Sequence, residues 1–162
     1  MAGNWQEYAV LGVTLHGRQD DPSLLLQHTS SDSVVALTVG ASEAAAVVLE
    51  IEGVVSSTPL THHLLPALFV RHGFEALRLE LQLDSESQPV ATLYYRALGE
   101  DHRLLLRPSD GVSIALRFGL PIYVDSEILP GRMLDFETVT RISNELLLVD
   151  RRASSSSPRI RN

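Results

Sequence analysis

Asp110, Glu43, His62 and Arg107 are the residues whose types and spacing could do chemistry. Glu43 closes the run Gly40-Ala41-Ser42-Glu43, and Asp110 closes Arg107-Pro108-Ser109-Asp110. Each acid therefore follows a serine at the expected start of a helix. Two carboxylates brought together by a repeated fold can hold a divalent cation, Mg2+ or Mn2+, and such an ion neutralises a phosphate and activates water. The bland alternative is that Ser42 and Ser109 cap their helices and the acids only complement the helix dipole. His62 and His63 fall just inside another helix start, where an imidazole can take a proton from water or ligate a metal. Neighbours on a helix point about 100° apart, so one of the two at most faces a given site. Arg107 beside the free N–H groups of a helix start can cradle a phosphate, or can pair with Glu43 or Asp110 and tie two halves together.

The elements that must position these residues come in two similar sets. Strands are predicted at 8–15, 24–28 and 34–39, then a helix from Ser42 that stops at Gly53, and a second from Thr61 to Gly73. Apolar alternation over Leu77, Leu79, Leu81 and Leu83 opens a second set, with strands at 74–83, 90–98 and 102–106 and a helix from Ser109 to Gly119. A short strand at 121–124, a short helix from Ser126 and a last helix over 134–149 follow. Glu43 and Asp110 match at an offset of 67 residues, which suggests an internal duplication of three strands and two helices. The expected class is α+β, with one curved, mostly antiparallel sheet.

Composition removes several chemistries. There is no cysteine, so thiolate catalysis, disulfides and Cys-based metal sites are excluded. All 13 basic residues are arginine, which excludes a P-loop lysine, a Schiff base and a Ser-Lys dyad. Ser109 lacks nucleophile-elbow glycines, so a hydrolase triad is not expected. The net charge is −7, and it is uneven: residues 151–162 carry four arginines and no acid, while the body is strongly acidic. An acidic body is a poor electrostatic match for a polyanion. No secretory leader is read at the N-terminus and no apolar run reaches a membrane span, so no membrane partner and a cytoplasmic location are expected.

Three segments together resemble the bifunctional nuclease (BFN) domain family, whose members act on both DNA and RNA. They are Val39-Gly40 with Glu43, Thr58-Pro59-Leu60-Thr61-His62-His63-Leu64-Leu65, and Arg107-Pro108-Ser109-Asp110-Gly111 running to Leu120-Pro121-Ile122-Tyr123-Val124. The resemblance covers roughly residues 8–130. It implies a duplicated three-strand, two-helix unit with a barrel-like sheet and helices packed outside. It also implies phosphodiester hydrolysis with Asp110, Glu43 and His62 catalytic, Asp110 and Glu43 on the metal, and Arg107, Ser109 and Thr61 on the substrate. No organic cofactor is expected. Thr58, His63 and Leu105 stand where the family usually carries Arg, Asp and Asp, and these departures point to the alternative, a catalytically weak or inactive scaffold or regulatory module. The chain divides on this reading into a nuclease-like domain (1–130), a helical extension (131–150) and an Arg/Ser tail expected to be disordered (151–162). Its apolar run Leu146-Leu147-Leu148-Val149 is a candidate contact for a homo-oligomer.

Overall fold

The computed structural model describes residues 4–15, 21–54 and 61–145. Among the described residues, eight strands form one sheet: β1 (Trp5–Leu15), β2 (Pro22–His28), β3 (Val34–Thr38), β4 (Glu75–Leu83), β5 (Pro89–Ala97), β6 (Glu100–Leu106), β7 (Ile122–Asp125) and β8 (Met133–Leu134). Four α-helices accompany it among the same residues: α1 (Ala41–Glu52), α2 (Leu64–His72), α3 (Pro108–Phe118) and α4 (Phe136–Glu145). The sheet order is β6-β5-β4-β7-β1-β2-β3-β8. Every pairing is antiparallel except β4 with β7.

The duplication is visible in the geometry. Shifting first-half elements by the 67 residues that separate Glu50 from Arg117 lays β2 on β5, β3 on β6 and α1 on α3. The two hairpin triplets stand in mirror order on either side of β7. Two expectations need correction. The second half is not a plain copy of the first: after α3, Pro121 and the β-branched Ile122 and Val124 make an added strand, β7, the short helix expected from Ser126 is a 3-10 turn, Ser126–Ile128, before Pro130-Gly131, and the second α-helix of this half, α4, comes only after β8. The pairing also does not close, since β6 and β8 stand at its two ends, so barrel-like closure is not seen among the described residues. Residues of both halves, including Thr38 of β3 and Pro89 of β5, nevertheless line one cavity of about 530 Å3.

Alternation along each strand decides which residues meet the helices. Leu24 and Leu26 of β2, Leu79 and Leu81 of β4 and Leu93 of β5 join Val47 of α1 and Val112 of α3 in the main core. Leu25 and Val34 face the other way and pack on Ile142 of α4. That two-sided burial explains the unbroken Leu24-Leu25-Leu26 run, which a one-sided strand would interrupt with polar residues. Strand β4 keeps its expected alternation except at its start, where the register shifts between Ala76 and Arg78. The shift puts Ala76, not Leu77, against the main core.

The remaining differences are at helix ends. Gly40 and Arg107, both extended, are the N-caps of α1 and α3, so Ser42 and Ser109 lie inside the first turns. Thr61 opens a 3-10 turn, Thr61–His63, and His63 is the N-cap of α2. Helical spacing predicts one apolar face of Leu64, Leu65, Leu68 and Phe69 on α2, but Phe69 is buried with Pro66 while Leu64 and Leu68 are exposed, so that face is split. No described helix is long and apolar enough to cross a membrane. The expected assembly contact at 146–149, the tail and Thr58 lie outside the described residues.

Candidate functional site

Helices α1 and α3 lie side by side, and their equivalent ends coincide. At the starts, Arg107 Nε donates to Asp110 Oδ2 at 2.8 Å and Nη1 donates to Glu43 Oε1 at 2.5 Å. Near the ends, Arg117 forks onto Glu50, with Nη2 to Oε1 at 2.6 Å and Nε to Oε2 at 3.2 Å. Each half contributes to both clamps, so the helices run in the same direction and the two acid-bearing starts meet.

Local sequence explains the approach. Gly111 lets α3 settle on the sheet: a Cβ there would lie 2.8 Å from both Ala91 Cβ and Leu79 Cδ1. At the start of α1, a Cβ on Gly40 would run into the Glu43 carboxylate, which folds back over the N-cap. Pro108 at the first turn of α3 has no N–H to lose there and presets the backbone.

Ser42, Glu43, Ala46, His62, Leu65, Leu106, Arg107, Asp110 and Ile114 surround a cleft of about 400 Å3. Four of the sequence-derived candidates, Glu43, His62, Arg107 and Asp110, thus share one opening. The Arg107 side chain is 67% exposed and Asp110 37%, against 21% for Glu43. Hydrogen bonding to Asp110, and then the charges of Asp110 and Glu43, hold the Arg107 guanidinium still more firmly protonated. Ser109 is buried, and its carbonyl accepts from the Ser113 hydroxyl at 3.0 Å, so it faces the protein interior rather than the opening. Thr61 is placed one residue before His62 in the 3-10 turn.

The histidines belong to a second cluster that adjoins the first, and both turn toward Glu50, against the expectation that one at most would face a given site, because they lie in a 3-10 turn rather than inside an α-helix. Their rings meet edge-on, 4.2 Å between centroids. Nε2 of His63 lies 3.4 Å from Glu50 Oε1, and Nε2 of His62 lies 4.0 Å from it. Burial, then the neighbouring His63, push the His62 imidazole below its ordinary range, with Glu50 opposing, Arg117 assisting and Asp110 opposing. A neutral imidazole can accept a proton or ligate a metal. Glu50 and Arg117 were not singled out from sequence. The signal was present: the offset that matches Glu43 to Asp110 also matches Glu50 to Arg117, about two turns further along the same helical face.

Similarity to known proteins agrees with this geometry. Residues 24–136 match the family described as "Bifunctional nuclease domain". The chain belongs to that family. The matched stretch runs from β2 to the first residue of α4 and so includes both clamps and both histidines. Two uncharacterized proteins of Mycobacterium tuberculosis, one from each of two strains, are 36% identical over 123 residues, covering 76% of this chain and 73% of theirs.

Proposed function

We propose that this chain is a nuclease-like protein that hydrolyses phosphodiester bonds of DNA or RNA in the cleft between the starts of α1 and α3. The observation that carries the reading is the meeting of Glu43, His62, Arg107 and Asp110, drawn from both halves, around one open cavity. Family membership supports the same reaction class. Arg107 reaches the phosphate: its guanidinium is the exposed cation of the cleft and forks onto oxygens in the way phosphate requires. His62, neutral in its half-buried position, takes the proton of the attacking water. Ile114 and Leu65 give the cleft an apolar wall that strengthens these polar contacts.

Glu43 and Asp110 are hard oxygen donors, which suits Mg2+ or Mn2+, and Arg107 occupies the position between them. A bound cation would supply charge neutralisation at the phosphate and a more acidic water. Arg107 turning outward onto a phosphate would release both carboxylates for that task.

A second reading rests on the same contacts. Arg107 joins the two halves through Glu43 and Asp110, and a scaffold that has lost catalysis would keep such a tie. Purified protein incubated with single- and double-stranded DNA and RNA, with Mg2+ or Mn2+, separates the two. On the nuclease reading at least one substrate is cut, and Asp110→Asn and Arg107→Gln each cost about 10²-fold or more, as losing one preorganised charge does. On the scaffold reading every substrate survives with either metal, and the same variants lower the melting temperature instead.

A further inference from the structure

We propose that Glu50, His62 and His63 form a binding site for a borderline divalent cation such as Zn2+ or Co2+, separate from the Glu43–Asp110 pair. One ligand atom from each of the three residues lies within 4.8 Å of the other two. The distances to Glu50 Oε1 are 3.4 Å from His63 and 4.0 Å from His62. Tetrahedral ligands about 2.0–2.1 Å from an ion stand roughly 3.4 Å apart, so the set is close to the spacing a small dication imposes. Small rotations of the two rings close the remainder.

The donor types choose the ion. Two imidazoles and one carboxylate suit Zn2+, Co2+ or Ni2+, whereas Mg2+ and Ca2+ prefer oxygen throughout. Nε2 of His62 is buried and makes no hydrogen bond, although a buried ring nitrogen ordinarily finds a partner. Ligation satisfies it. The Glu50 carboxylate is 9% exposed and is held by the Arg117 fork, which fixes its direction as an outer-shell donor does for a metal ligand. Arg117 also offsets the charge of Glu50, so an anion in the open fourth position would help balance the charge of the ion.

Three protein ligands leave a fourth position for water or an anion, the arrangement of reactive rather than structural zinc sites. His62 is shared between this triad and the cleft, so a cation here stands at the cleft's inner wall and, while bound, would take His62 out of use as a base. Metal binding is a claim independent of nuclease activity, and its test reads binding alone.

Full-length protein, stripped with a chelator, is titrated with Co2+ followed by its visible d–d bands, and with Zn2+ by calorimetry. One equivalent of each is expected, with the intense bands of a low-coordinate Co2+ site bearing nitrogen ligands. His62→Gln and Glu50→Gln should each weaken binding about tenfold or more, while His72→Gln and His102→Gln, at exposed histidines away from the triad, leave it unchanged. Melting curves of the metal-free variants show whether each folds; if Glu50→Gln does not, His62→Gln carries the comparison. Absence of binding, wild-type affinity in a folded His62→Gln, or an equal loss in His72→Gln would each overturn the site. Nuclease activity can fail while this titration succeeds, and the reverse, so the two readings are tested apart.

Discussion

Gly111 sits where α3 comes nearest to the sheet, and the residue before it is Asp110. Its replacement by alanine would set a methyl 2.8 Å from Ala91 Cβ and Leu79 Cδ1, both carried on fully buried strand residues. Neither neighbour is the free end of an exposed side chain, so α3 must lift. Overpacking of that kind costs about 1–3 kcal/mol. Gly111→Ala should lose that much stability in urea denaturation, and the lift should loosen the Arg107–Glu43 contact as well. A change within about 0.5 kcal/mol, the ordinary range for a surface substitution, would show that the helix has room it does not have here. The single-residue scale was also where the sequence was read least completely. Glu43, Asp110, His62 and Arg107 were legible because acids and a base at helix starts have a recognised chemistry. Glu50 and Arg117 look like ordinary surface charges until the repeat offset is carried along the whole helix. Ser42 and Ser109 are favoured capping types, yet the chain enters each helix two residues earlier, at Gly40 and Arg107, and in α1 the Glu43 carboxylate folds back over Gly40.

Among the elements, α4 depends most on a local device. Asp135 accepts from the Thr138 backbone N–H at 2.7 Å and from its hydroxyl at 3.0 Å, closing the helix start with its side chain. Those two bonds, the backbone one first, hold the Asp135 carboxyl below its ordinary range. A folded-state value below the unfolded value means that the carboxylate contributes stability above the unfolded value of 3.8, and that this contribution is lost as pH falls through the folded value. Asp135→Ala should therefore melt earlier than the wild type at pH 7, and the gap should shrink as the pH is lowered below 3.8 and through the lower folded-state value. Melting curves across that range check it; a gap that is constant with pH would mean the bonds are not made. The strand and helix order was legible from alternation and Gly or Pro punctuation. The bulge at Leu77 and the split face of α2 were not, because both depend on what the rest of the fold places opposite them.

At the scale of the whole molecule, the two halves are alike in plan but not separable in packing. Strand β7 belongs to the second half in sequence, yet it pairs with β1 of the first half over Trp5–Tyr8 and with β4 on its other side. The main core contains Leu24, Val35 and Val47 from the first half and Leu79, Leu93, Val112 and Val124 from the second. A half-chain would expose one side of that core and leave the β1 edge unpaired, and a fragment of such length buries too little surface to replace what it loses. Fragments 1–73 and 74–162 should each show no cooperative thermal transition alone, and should regain one when mixed in equal amounts. A repeated fold that arose from a self-pairing ancestor could instead leave 1–73 folded as a dimer with itself. Circular dichroism melts and sedimentation of 1–73 distinguish these outcomes: a cooperative transition with doubled mass would place the stability in the repeat itself, and its absence would place it in the inserted strand and the shared helix pair that also build the cleft.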